Sequence, residues 1–428
     1  MHKAGVTHYQ KQAEREIADT FDNIAKILTV SDHRDISLSA QHRAWIAQQV
    51  MHQAANPYHI FQGYHNTCNA AVLEVQMYTK YPSQAARLVA SIVSSGSYTT
   101  ADCKHTVKLN STSMTPHADW SAAAKKQWPL SNLPGDNIRS LASQIWQSTA
   151  VNLFHNQPDS PFKGVLEYVQ GEAVAENPTG DYFVFADLSI LSGDALAEAQ
   201  DLQRQGKEVR ADQFQGSPQM NAEGIQKLHD LIMPNDKDEN GELAPALIEI
   251  GTTPNGGLSP KSLYIGKQDP LEGSKELSNQ LQQLKNKGRL PIALATNVNN
   301  APFQGDLGTG WVDTSNLGGG GHIINITDIK KGKVAYDNQN ILANDRLDDA
   351  RMIPVEVMYQ STLTPTVHSV CLNAKTLFEQ ALNSASKLQP AEKQKLKLEM
   401  QKQEETIHDE AKLLKWYQER FDELRAKK

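Results

Sequence analysis

The chain has 428 residues, 39% hydrophobic and 21% charged, with a formal net charge of −7 and a pI near 6.1. That acidic balance excludes general affinity for nucleic acid or anionic lipid, and no apolar run approaches the ~18 residues of a membrane span. The three cysteines, Cys68, Cys103 and Cys371, form neither a disulfide framework nor a zinc site and suit a reducing compartment.

In chain order, the opening residues MHKAGVTHYQKQAEREIADTF hold no apolar segment of a Sec-type signal peptide. The expected location is therefore cytoplasmic, or exported without such a signal. Ile17, Phe21, Ile24 and Leu28 recur at a helical period over residues 7–29. A second helix fits Ser39–Ala54 around Trp45, Ile46 and Val50, and Asn56-Pro57 ends it. A third runs from Cys68 to Tyr78, and PSQAARLVASIV begins a fourth with Pro82 in its first turn. DYFVFADLSIL (Asp181–Leu191) and LPIALATNV (Leu290–Val298) read as strands, and AEGIQKLHDLIM as a helix. HIINITDI (His322–Ile329), KKG and KVAYDNQ (Lys333–Gln339) read as a β-hairpin with a short polar turn. From Leu388 the composition shifts to Lys, Glu, Gln and Leu. Ile407, Ala411, Leu414, Tyr417, Phe421 and Leu424 then predict one long amphipathic helix, packed on the body of the protein or on a second copy. No internal repeat is present. DKDENGEL (Asp236–Leu243) begins like a calcium loop, but Leu247 stands where a bidentate glutamate is needed and Pro245 interrupts it, so it reads as a solvated turn.

The stretch FQGYHNTCNAAVLEV (Phe61–Val75) carries the chemistry. A polar turn runs into Cys68, which opens an apolar helix. The first turn of a helix has free N–H groups and partial positive charge, which favours a thiolate and lowers the thiol pKa. A thiolate nucleophile needs a base, a group that orients the base, and donors for an oxyanion. Of the 14 histidines, His322 follows four glycines and opens an apolar strand, and Asp337 and Asn338 end the facing strand of the hairpin. Either can orient the imidazole. Cys103 and Cys371 read as structural, and His65 as a pocket wall. No Walker lysine motif, HExxH or GxSxG occurs.

The order Cys68, His322, Asn338 resembles the papain-like cysteine peptidases. In that family a glutamine six positions before the nucleophile supplies an oxyanion donor, and Gln62 stands six before Cys68. The family's asparagine follows its histidine by about sixteen positions across a hairpin, and Asn338 follows His322 by sixteen. Asn69 replaces the family's aromatic residue after the cysteine. The stretch from Cys68 to His322 far exceeds the roughly 130–150 residues of papain-type enzymes.

The resemblance implies an α+β, papain-like two-lobed fold whose catalytic domain (58–375) has a large insertion between Cys and His; the helical patterns add a helical N-terminal subdomain (1–57) and a C-terminal amphipathic helical extension (376–428). It implies a cysteine peptidase with Cys68 as nucleophile, His322 as acid and base, Asn338 as orienter and Gln62 as oxyanion donor, acting on a protein or peptide without a cofactor or metal. Asp337 is the alternative third member. The same dyad serves protein-glutamine deamidases and transglutaminase-like enzymes, including bacterial effectors and toxins. A non-catalytic binding protein on the same shell is the alternative outside enzymes.

Overall fold

The computed structural model describes residues 2–30, 38–62, 67–115, 139–157, 162–170, 181–214, 222–237, 240–251, 263–266, 270–297, 321–338, 352–363, 388–407 and 409–426, with residues 160, 220, 375, 378–379 and 382–383 besides. The first helices are α1 (His2–Thr29), α2 (Ala40–Ala55), α3 (Cys68–Lys80) and α4 (Pro82–Ser95). Ser39 caps α2 by accepting from the His42 backbone N–H. α4 starts on Pro82, whose missing N–H costs nothing there, and stops at Gly96, left-handed at φ 69°. A short hairpin, β1 (Ser97–Thr99) with β2 (Thr106–Lys108), and one turn, α5 (Ser111–Met114), follow.

α6 (Leu141–His155), capped by Ser140, lies at the centre of the helical layer. All of its residues but Phe154 are buried, polar and apolar alike. The polar ones are hydrogen-bonded across the core: Gln144 Nε2 donates to the carbonyls of Ser113 and Thr115, and Asn152 Nδ2 to the carbonyl of Tyr168. Ile24, Ile27, Ile46, Val50, Val72, Leu88 and Trp146 belong to one hydrophobic core. α1 and α2 therefore share the core of α3, α4 and α6.

β3 (Leu166–Gln170) pairs with β4 (Asp181–Phe185). The strand expected over Asp181–Leu191 ends at Phe185, because the Asp187 carboxylate accepts from the Ser189 backbone and turns the chain. α7 (Gly193–Arg204) and α8 (Ala222–Ile232) precede the main sheet. That sheet holds β5 (Leu247–Gly251), β6 (Leu263–Gly266), β7 (Ile292–Asn297), β8 (Gly321–Lys330), β9 (Lys333–Asp337) and β10 (Ile353–Pro354), in the order β10-β9-β8-β7-β5-β6. β5 is parallel to β6 and β7, with α9 (Pro270–Asn286) as the crossover from β6 to β7; the remaining pairs are antiparallel. β8 and β9 join through Lys331 (φ 51°) and Gly332 (φ 71°), a two-residue turn whose positive φ values match the strand twist.

Helices cover both faces of the sheet. Leu247, Ala293 and Ile323 pack into the helical core. Ile248, Leu294, Ile324 and Ile326 pack on Leu277 and Leu281 of α9 and on Met358 and Tyr359 of α10 (Val355–Ser361). The architecture is α+β. The chain between Cys68 and His322 supplies α6 and three strands of the main sheet.

On α1 the buried face is Thr20, Asn23, Ile24 and Ile27, whereas Ile17, Phe21 and Leu28 are exposed. Asn23 turns inward because its amide donates to the Ser83 carbonyl at the start of α4. The single C-terminal helix is two, α11 (Pro390–Thr406) and α12 (Glu410–Ala426). Ile407 leaves helical geometry at φ −99° and ψ 101°, and the Asp409 carboxylate accepts from the Lys412 backbone to start the second. The pair has its own small core of Phe378, Leu382, Met400, Leu414 and Tyr417. Asp236, expected in a solvated turn, is buried: Lys80 Nζ lies 2.9 Å from Oδ2, Arg289 Nη1 2.7 Å from Oδ1, and His229 Nε2 3.2 Å from Oδ2. Among the described residues, no helix is long and apolar enough to cross a membrane.

Candidate active site

Cys68 is the first residue of α3 and is only partly exposed. Its thiol donates to Asn69 Oδ1 at 3.5 Å, and Asn69 Nδ2 is anchored on the Met220 carbonyl at 2.6 Å. Burial pushes the Cys68 thiol up to about 11, against the backbone amides of Asn69, Ile323 and Cys68 itself, which favour the thiolate. The expectation that the helix start lowers this pKa is corrected: the N–H groups are there, but desolvation outweighs them. The Ile323 amide places the sulfur against β8, one residue from His322.

His322 is buried near the start of β8, and its Nε2 lies 2.5 Å from Asn338 Oδ1. An amide oxygen only accepts, so Nε2 carries the proton and Nδ1 holds the lone pair. Burial lowers the His322 pKa, partly offset by the Asn338 hydrogen bond. Both shifts favour the neutral thiol and the neutral imidazole, and the thiol proton points to Asn69.

The hairpin register separates Asn338 from Asp337. Asp337 is paired with Asn325, whose side chain donates to the Val72 carbonyl of α3 and accepts from Gln76. Directly paired residues share a face and strand neighbours take opposite ones. Asp337 therefore faces α3, where after burial its charge raises the pKa of Tyr58, and Asn338 takes the position on His322.

Gln62 is half-buried, six residues ahead of Cys68, and among the described residues its Oε1 has no hydrogen-bond partner; the same holds for Asn338 Nδ2. His65 and Cys371 lie outside the described residues, and Cys103 is exposed at the β1–β2 turn with φ 60°.

Behind the site lies a buried polar set with no mark in the sequence. Glu74, two turns into α3, accepts from Gln147 Nε2 at 2.9 Å and Ser143 Oγ at 2.9 Å. Burial raises its carboxyl to about 7, with those two hydrogen bonds and the Arg139 charge acting against the rise. Gln147 and Ser143 sit on a helix buried on all sides, where no hydrophobic period singles them out. Gln76 Nε2 donates to the Ala246 carbonyl and to Asn325 Oδ1, both at 3.1 Å, and so ties α3 to the sheet. Compared with known proteins, the chain matches no family model, no curated protein and no solved structure.

Proposed function

We propose that this chain is a cysteine-dependent amide hydrolase of papain-like, two-lobed design, acting as a peptidase on a protein or peptide. The observation that carries the reading is the 2.5 Å hydrogen bond from His322 to Asn338, formed on the strand whose Ile323 amide meets the Cys68 sulfur. With both groups neutral at rest, attack is coupled to proton transfer. Sγ bonds to the carbonyl carbon of the amide as the thiol proton passes to His322 Nδ1. The oxyanion is held by the Gln62 side-chain amide and the Cys68 backbone N–H. His322 then protonates the leaving amine, the C–N bond breaks, and a thioester remains on Cys68. Water gives one proton to His322 and its oxygen to the acyl carbon, the acid is released, and the proton returns to sulfur.

A neutral amide as the third member supports a peptidase over the Cys-His-Asp branches, where deamidases and transglutaminase-like enzymes are common. The test is mass spectrometry of a peptide mixture incubated with the wild type, Cys68→Ala and His322→Ala. Cleavage by the wild type alone supports the proposal. A deamidation shift or a cross-link moves the chain to the acyl-transfer reading, and three identical spectra leave a binding protein.

A further inference from the structure

The Gln147 side chain holds the chain on both sides of residues 63–66, which link Gln62 to the Thr67-Cys68 step. Its Nε2 donates to the Phe61 carbonyl at 3.2 Å, and its Oε1 accepts from Thr67 Oγ1 at 2.7 Å. Phe61 precedes the oxyanion glutamine and Thr67 precedes the nucleophile, so a single amide sets the separation of the two. Gln147 is wholly buried and cannot trade these partners for water. Its Nε2 is shared with Glu74 Oε2 at 2.9 Å, and the other Glu74 oxygen is fixed by Ser143 Oγ. Ser143 Oγ in turn accepts from Gln53 Nε2 at 2.6 Å, and the Ser143 backbone donates to Ser140 Oγ at 2.9 Å. The grip is thus rooted in α2, α3 and α6, and any shift of Gln147 moves Phe61 and Thr67 together.

We infer that Gln147, acting through Phe61 and Thr67, is a positioning residue that sets the oxyanion site by fixing Gln62 relative to the Cys68 backbone N–H. This rests on the function proposed above. Oxyanion stabilisation demands donors at fixed distances from the developing charge, and small misplacements are costly. Removing the clasp should therefore impair acyl transfer to Cys68 and spare reactions at sulfur that build no oxyanion.

Two reagents separate these cases. p-Nitrophenyl acetate acetylates Cys68 through a tetrahedral oxyanion: sulfur bonds to the acetyl carbon, the thiol proton passes to His322, and p-nitrophenolate leaves. Iodoacetamide alkylates the same sulfur by displacing iodide, with no oxyanion. Both rates are followed on the Cys68 peptide by mass spectrometry, with thermal melts to establish folding, for the wild type, Gln147→Met, Thr67→Val, the double variant and His322→Ala. Gln147→Met and Thr67→Val should each lower acetylation, Gln147→Met by roughly 10- to 100-fold, with alkylation near the wild-type rate. The double variant should be no worse than Gln147→Met, as expected of members of one unit. Equal loss of both reactions, or loss of neither, overturns the clasp. If Gln147→Met fails to fold, Thr67→Val, which removes a single hydroxyl, decides alone. Wild-type acetylation that His322→Ala leaves unchanged overturns the proposed function, and the clasp falls with it.

Discussion

The imidazole of His322 and the side-chain oxygen of Asn338 meet at 2.5 Å across sixteen residues of chain. That contact fixes the tautomer and leaves Nδ1 as the basic nitrogen. Losing the orienting partner of a metal-bound histidine typically costs about 10–100-fold, and the same scale is taken here by analogy. Asn338→Ala should lower the rate of Cys68 acetylation by p-nitrophenyl acetate within that range. Asp337→Ala, on the face toward α3, should change it far less. The reverse ranking would assign the orienting role to Asp337.

The raised thiol pKa has a direct kinetic signature. Alkylation follows the thiolate fraction. For a thiol near 11, that fraction grows about tenfold per pH unit through the neutral range. In the substrate-free protein, Cys68 alkylation by iodoacetamide should climb steadily from pH 7 to pH 10, and at pH 7 it should be slower than at the exposed Cys103. A Cys68 rate that is already flat between pH 7 and pH 8 would restore the account in which the helix start dominates.

The contrast between His322–Asn338 and Cys68 shows what a sequence carries. The hairpin was legible because two apolar strands and a Lys-Gly turn fix the register, and register converts a spacing of sixteen into a contact. The helix start at Cys68 was legible too, but the burial of its sulfur was not, so the sign of the pKa shift was missed. Gln147, Thr67 and Glu74 gave no signal, since burial of polar groups depends on partners from distant helices. On α1 the apolar period marked the helix but not which face is buried: Asn23 donates to the Ser83 carbonyl while Phe21 is exposed. LIEIG and LYIG are too short and too unlike an alternating pattern to announce the parallel strands of the main sheet.

Asn325 ties the nucleophile helix to the histidine strand. Its Nδ2 donates to the Val72 carbonyl at 3.0 Å and its Oδ1 accepts from Gln76 Nε2 at 3.1 Å, wholly out of water. Asn325→Leu keeps the branched shape but strips a buried partner from Gln76. Leaving a buried polar group unpaired costs about 1–3 kcal/mol. The urea midpoint should fall accordingly with little change in slope. An unchanged midpoint would mean that apolar packing alone holds α3 on β8.

Asp236 predicts the acid limb of stability. Burial alone would raise its carboxyl, but the hydrogen bond from His229 and the charge of Lys80 hold it well below the usual carboxylate range. Arg289 adds a second cation at 2.7 Å. A carboxyl that is more acidic folded than unfolded stabilises the fold above its unfolded pKa, about 3.9, and that contribution is lost as pH falls toward the folded value. Asp236→Asn removes the anion and leaves Lys80 and Arg289 facing each other with little solvent. Breaking a buried pair in this way costs about 3–5 kcal/mol. In urea melts the gap between wild type and Asp236→Asn should therefore be full at pH 6–7, begin to close near pH 4, and narrow further as the pH falls. A gap that stays constant from pH 7 to pH 3 would show that Asp236 acts through hydrogen-bond geometry alone, without its charge.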